Sequence, residues 1–248
     1  LEIQALGHEL VWLRQLLNDI DQNKVKFLRH ISHELKTPLS SLREGTDLLA
    51  DEVPGPLLAR QHEIVKIVQQ NGYELQRLIE NLLDYNQLPG QELSPELIDL
   101  PAFGNLLVDH YRIGLENKAL SVSTHWRIEH WFADRSKLKT ALDNVISNAV
   151  NYTPEGEAIH LECWQEAKCL LIDVANSGNS IPEHEIAHLF EPFYQGSTER
   201  RGPIKGSGIG LSLARDCMQA QGGSLTVVSH PSFAVCFRLI CPSLEHAS

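Results

Sequence analysis

No apolar run in this 248-residue chain approaches the roughly 18 to 20 residues that a membrane-spanning helix requires, and no secretory leader opens it. The five cysteines, Cys163, Cys169, Cys217, Cys236 and Cys241, form no C-x-x-C pair, and their odd number speaks against a disulfide framework or a zinc site. A reducing compartment is expected. Basic residues are scarce, 21 Lys and Arg against 32 Asp and Glu, and the formal net charge of -11 argues against a nucleic-acid surface, which needs clustered cations. Such a balance suits solubility, or a partner with a basic face. There is no internal repeat and no low-complexity segment. The chain opens without Met inside a helical pattern, so it is expected to be a fragment of something longer on the N-terminal side. What it does hold, 42% hydrophobic residues, is ordinary for one or two packed domains.

Residues 27–39, FLRHISHELKTPL, gather reactive groups. His33 and Thr37 are four residues apart and share a helix face, with Glu34 one step round the cylinder. An imidazole is a nucleophile near neutral pH, a neighbouring carboxylate can hold its ring N–H, and a hydroxyl one turn on can orient a water. Taken alone, a His-Glu pair fits a solvated helical histidine better. Pro38 predicts a kink one turn beyond it. Upstream, Ile3, Leu6, Leu10, Leu13, Leu17, Ile20, Phe27 and Ile31 form a heptad seam, read as a coiled coil or as an amphipathic helix packed on its own domain. The steps Ile31 to Leu35 to Leu39 are a stutter, and it falls on His33. Asp51 to Pro56 breaks the helix, and a second runs from about Leu57 to Leu88. The two make an antiparallel hairpin that cannot bury both seams alone, so a dimeric four-helix bundle is expected.

Beyond Pro89-Gly90 and a linker, the pattern turns to alternating strands and helices. Strands are predicted at Leu97–Leu100, Leu120–Trp126, Ile128–Ala133, Ala158–Gln165, Cys169–Ala175, Ser224–Ser229 and Phe233–Ile240. Helices are predicted at Pro101–Ala119, at Arg135–Asn151 with Asp134 as its cap, near Pro182–Leu189, and at Gly208–Gln221. The fold class is therefore α+β, a helical hairpin followed by an α/β sandwich with helices on one face of a mixed sheet.

Three motifs in this half carry chemistry. Asn144, Asn148 and Asn151 stand at i, i+4 and i+7 of one helix, offering amide oxygens suited to Mg²⁺ shared with phosphates. Val174-Ala-Asn176-Ser-Gly178-Asn-Ser-Ile-Pro182 is a strand ending in a turn of small residues. Gly206-Ser-Gly208-Ile-Gly210-Leu opens a helix whose N–H groups can cradle a phosphate.

With Phe190-Glu-Pro-Phe193 between the last two, these motifs resemble, in order, the N, G1, F and G2 boxes of the GHKL ATPase domain. SHELKTPL resembles the H-box of bacterial sensor histidine kinases. Roughly residues 24 to 241 thus resemble the cytoplasmic part of such a kinase, closest to its QseE/GlrK branch. The resemblance implies a signalling helix at 1-23, a dimerisation and phosphotransfer domain at 24-88, a linker at 89-95, a catalytic ATP-binding domain at 96-243 and a tail at 244-248. It implies His33 as phosphoacceptor, Glu34 as its acid/base partner and Thr37 as a phosphatase hydroxyl. Asn148 would be the main Mg²⁺ ligand with Asn144 beside it, and Tyr152 would line the adenine. Asn151, Asn176, Gly178, Ile181, Phe193, Lys205, Gly206, Ser207, Gly208, Ile209, Gly210 and Leu211 would complete the ATP site, with Gln195 to Lys205 as its lid. Three positions depart from the family: Asn151 replaces Lys or Arg, with Lys205 or Arg201 to compensate, Asn176 replaces Asp, and Ser180 replaces Gly. These bear on nucleotide affinity more than on fold. The implied partners are a second copy of the chain and the receiver domain of a response regulator, with no nucleic acid. The membrane would be reached only through a missing N-terminal part, making this the cytoplasmic portion of an inner-membrane protein. The rival expectation is a signalling scaffold of the same fold with little turnover.

Overall fold

The computed structural model describes residues 35–87, 92–197 and 208–245, in two compact units, 1–89 and 90–248. His33, Glu34, Lys205, Gly206, Ser207, the signalling helix at 1-23 and most of the lid lie outside the described residues. In the first unit, helix α1 covers residues 35–50 and continues through Pro38, and α2 spans Ala59–Gln87. The reversal between them uses two left-handed residues, Glu52 (φ 55°) and Gly55 (φ 142°). Glu52 closes it, accepting the Leu57 N–H at 3.1 Å and meeting His62 Nε2 at 2.9 Å. These hydrogen bonds, the Leu57 amide first, hold its carboxyl below the usual range. Higher up, Gln69 Nε2 donates to Asp47 Oδ1 at 2.8 Å and Arg43 to Gln76 Oε1 at 3.2 Å, so the two helices are tied by polar pairs. Leu35, Leu42, Leu49, Ile64, Ile67 and Leu75 are left exposed on this unit.

The second unit holds a two-stranded antiparallel ribbon, β1 (Pro95–Asp99) with β3 (His130–Asp134), and a five-stranded mixed sheet. The sheet's order is β2 (Ser121–Trp126), β4 (Ala158–Glu166), β5 (Cys169–Asn176), β7 (Val235–Pro242), β6 (Ser224–Val227). Only β2 and β4 run parallel, and the chain between them carries β3 and helix α5 (Arg135–Tyr152). In register, Ile159, Leu161 and Cys163 of β4 face Asn176, Val174 and Ile172 of β5, which face Val235, Phe237 and Leu239 of β7. Period-two alternation puts all nine on one buried face. The next row on the other face pairs Asp173 with Arg238, two hydrogen bonds of 2.7 Å, under the Trp164 ring.

Against the apolar face pack α3 (Leu100–His110), α5 and α7 (Gly210–Ala220). Helix α5 buries Leu138, Ala141, Leu142, Val145, Ile146, Ala149 and Val150, the spacing of a helix with one covered face. Its cap is as expected: Asp134 Oδ1 accepts the Lys137 N–H at 2.9 Å. Asp134 Oδ2 also accepts the Ser94 N–H at 3.0 Å, and its own N–H donates to Gln221 Oε1 at 2.9 Å. The helix predicted over Pro101–Ala119 is two helices, α3 and α4 (Arg112–Asn117), broken at Tyr111. The break has a tertiary cause, because the Tyr111 hydroxyl is drawn to Asp143, 2.9 Å to Oδ1 and 3.1 Å to the carbonyl. Short α6 (Glu183–Ile186) precedes the polar segment that leads to α7.

Gly104, buried in α3, is required by close approach, since a Cβ there would overlap the Trp126 ring of β2. Gly104→Ala is expected to cost roughly 1–3 kcal/mol, as overpacking does. Denaturant unfolding checks it, through a lower midpoint at unchanged slope.

Candidate functional site

Three segments converge at the C-terminal half of α5. Asn144 is buried, and its Nδ2 donates to the Thr140 carbonyl at 2.8 Å, which turns Oδ1 toward the start of α7. A Cβ on Gly210 would stand 2.8 Å from that oxygen. One turn on, Asn148 is half-buried, with no side-chain hydrogen bond among the described residues. Asn151 Nδ2 reaches Ser147 Oγ at 3.4 Å, and Tyr152 closes the helix with 38% of its surface exposed. The turn after β5 lies against the same helix end. Gly178, at φ 123°, is so close that a Cβ would come within 2.9 Å of Pro154 Cδ and 3.6 Å of the Tyr152 carbonyl.

Asn176 ends β5 almost fully buried, its Nδ2 given to the Ser177 carbonyl at 2.9 Å. That leaves Oδ1 as the acceptor. Ile181 is half-buried beyond the turn. Gly208 adopts φ 70° and therefore stands outside the helix, which starts at Gly210 and not at Gly208 as the pattern predicts. Among the described residues no side chain caps the start of helix α7, where Ile209 is buried and Leu211 half-buried; a helix start of this kind is suited to an anion. Phe193 enters through its backbone, for its ring is 65% exposed and its N–H donates to the Gly208 carbonyl at 3.0 Å. In the first unit, Thr37 is exposed on α1, and its carbonyl accepts the Ser41 hydroxyl at 3.3 Å.

Lys118 was not singled out by any motif. Its ammonium donates to the carbonyls of Val150, Asn151 and Thr153 at 2.8, 2.9 and 3.2 Å, closing the end of α5 from outside. Nothing local marks it, because its partners lie more than thirty positions on. The cysteines are free, and burial pushes the thiols of Cys236 and Cys241 up to about 12, so neither is a nucleophile.

Asn144 and Asn148 present neutral amide oxygens on one face, and among the described residues no three His, Cys, Asp or Glu gather into a metal cage. Such a donor set fits a divalent cation completed by phosphate oxygens better than one held by protein alone.

Two family models match: the His Kinase A (phospho-acceptor) domain over residues 23–91, and the Histidine kinase-, DNA gyrase B-, and HSP90-like ATPase over residues 133–245. The sensor histidine kinase GlrK of Escherichia coli K12 is 41% identical over 246 residues, 99% of this chain and 52% of GlrK. The chain belongs to the sensor histidine kinase family. QseE of Escherichia coli O157:H7, another sensor histidine kinase, is 40% identical over the same shares. The chain thus spans about half the length of these two curated kinases. The crystal structure of ShkA full-length in complex with AMPPNP superposes with a TM-score of 0.69 at 23% identity, over 88% of this chain and 46% of that one, a likeness of histidine kinase fold.

The two glycines of the α7 turn differ in what surrounds them. At Gly208 a side chain would need the left-handed backbone and would meet the Phe193 and Tyr194 backbone at 2.6 Å, whereas at Gly210 it meets only a movable amide. Gly208→Ala is expected to lower stability by about 1–2 kcal/mol or more, and Gly210→Ala by less. Thermal unfolding of the two variants checks the order.

Proposed function

We propose that the chain is the catalytic part of a dimeric, ATP- and Mg²⁺-dependent protein histidine kinase. The observation that carries the reading is the convergence of the asparagine face of α5, the Asn176–Gly178 turn and the Gly208–Gly210 turn, with Asn144 Oδ1 set against Gly210. Asn176 Oδ1 and Tyr152 would meet the adenine, and the N–H groups at the start of α7 the phosphates, together with Lys205, Gly206 and Ser207, which precede Gly208 in sequence. Mg²⁺, held by Asn148, Asn144 and the phosphates, would supply neutralisation of developing charge. The nucleophile is His33. Its Nε2 lone pair forms a bond to the γ-phosphorus as the bond to the bridging oxygen breaks and ADP leaves. Glu34 holds the Nδ1–H and stabilises the imidazolium. The phosphoryl group then passes to an aspartate of a separate receiver domain, and Thr37 would position water to remove it from that partner. The exposed apolar residues of α1 and α2 fit a second copy completing a four-helix bundle. On this reading the chain is the cytoplasmic portion of an inner-membrane sensor. No described helix is long and apolar enough to cross a membrane.

Incubation with γ-labelled ATP is expected to give an acid-labile, base-stable phosphoprotein. His33→Ala removes the label while leaving ATP binding intact, and Thr37→Ala retains it but slows dephosphorylation of the regulator. Label persisting on His33→Ala would move the acceptor elsewhere, and no label on the parent would favour the scaffold.

Asn176 sets a second expectation. A carboxylate would accept the adenine amino group with a charge-assisted bond, so Asn176→Asp should tighten AMPPNP by about 1 kcal/mol, roughly fivefold, and Asn176→Ala should weaken it similarly. Asp would also set an oxygen against the Ser177 carbonyl that Nδ2 now satisfies, so it should lower Tm in the absence of nucleotide. Calorimetric titration and melting of the three proteins check both orders. Equal affinity of Ala and Asn would remove residue 176 from adenine recognition.

A further inference from the structure

Glu185 sits on α6 with only 4% of its surface exposed. A buried carboxylate needs partners, and Glu185 finds them in Ser197. Oε1 accepts the Ser197 N–H at 3.0 Å and the Ser197 hydroxyl, and Oε2 lies so flush on Gly196 that a Cβ there would overlap it. The Ser197 hydroxyl first, and its amide next, hold the carboxyl below the ordinary range. The clasp joins residues twelve apart and so is tertiary, not a turn.

What it holds is the bed of the glycine turn. Phe190 anchors the segment at one end, buried with its ring edge-on to Phe237 at 6.4 Å. Tyr194 N–H then bonds the Glu191 carbonyl at 3.2 Å, and Phe193 N–H bonds the Gly208 carbonyl at 3.0 Å. Gly208 rests on the Phe193 and Tyr194 backbone with no room for a side chain. Glu185 fixes the far end of this bed at Gly196 and Ser197.

We propose that Glu185 is a positioning residue for the nucleotide phosphates: by clasping Gly196 and Ser197 it keeps Phe193–Ser197 seated under Gly208 and so holds the Gly208–Gly210 turn in place. The carboxylate touches no ligand itself. The proposal rests on the nucleotide reading above and predicts which part of the ligand feels the loss. The phosphate end depends on the clasped segment, whereas the adenine end is met at Asn176 and Tyr152, on β5 and α5.

The test titrates the full chain, Glu185→Gln, Ser197→Ala and the double variant with AMPPNP and, in separate titrations, with adenosine. Each single change is expected to weaken AMPPNP about fivefold, the double to be no weaker than the weaker single, and adenosine to bind all four alike. Ser197 is exposed, so its truncation leaves the core intact and carries the test if Glu185→Gln does not fold. Unchanged AMPPNP affinity in both singles overturns the proposal. So does equal weakening of adenosine and AMPPNP, which would mark a general loosening of the unit. If the parent protein binds neither ligand, the nucleotide reading itself fails and the positioning role falls with it.

Discussion

The carboxylate of Asp134 has two oxygens and both are committed, one to the first turn of α5 and the other to the chain entering β1, while the residue's own N–H is held by Gln221 at the end of α7. Strand β3 therefore cannot end, nor α5 begin, anywhere else without leaving a buried charge or a buried amide unmet, each costing about 1–3 kcal/mol or more. Everything the site needs follows from that registration. Starting α5 at Arg135 decides which residues face the sheet, and hence that Asn144, Asn148 and Asn151 do not.

The second constraint is size. Helices α5 and α7 run antiparallel, tied at one end by Gln221 and brought at the other to where Gly210 touches Asn144. Gly178 and Gly208 extend the same closeness to the helix end and to the Phe193 backbone. At these three places the segments meet through backbone, amide and proline ring, because a methyl group on any of the glycines would press into its neighbour. Neutral amides and the N–H groups of a helix start make, among the described residues, a surface that a polyphosphate could approach as a hydrogen-bonding ligand.

Much of this was legible in the chain itself. The strands fall within about two residues of their predicted places because alternation is local, and the cap at Asp134 was read from its residue type. The asparagine face and the small-residue turns were legible as well, since their spacing is the signal. What escaped was set by distant partners. Tyr111 breaks a helix for a hydrogen bond to Asp143, Lys118 acts on carbonyls two strands and a helix further on, and Glu185 on a serine twelve residues away. Gly208 was read as helical because its left-handed φ is decided by the Phe193 backbone beneath it. Propensity has no access to such contacts.

Lys118 bears on the field of the site. An α-helix ends in roughly half a negative elementary charge, and α5 ends beside the Gly178 turn, next to where the phosphates would lie one to two turns back along the helix. An ammonium seated on the carbonyls of Val150, Asn151 and Thr153 offsets that pole without a cation standing in the site itself. Asn151 can then be a neutral residue, for the pole is offset from behind the helix. A charge placed there is partly shielded from bulk ions, so its pull on phosphates would fade less with added salt than that of a lysine projecting into solvent.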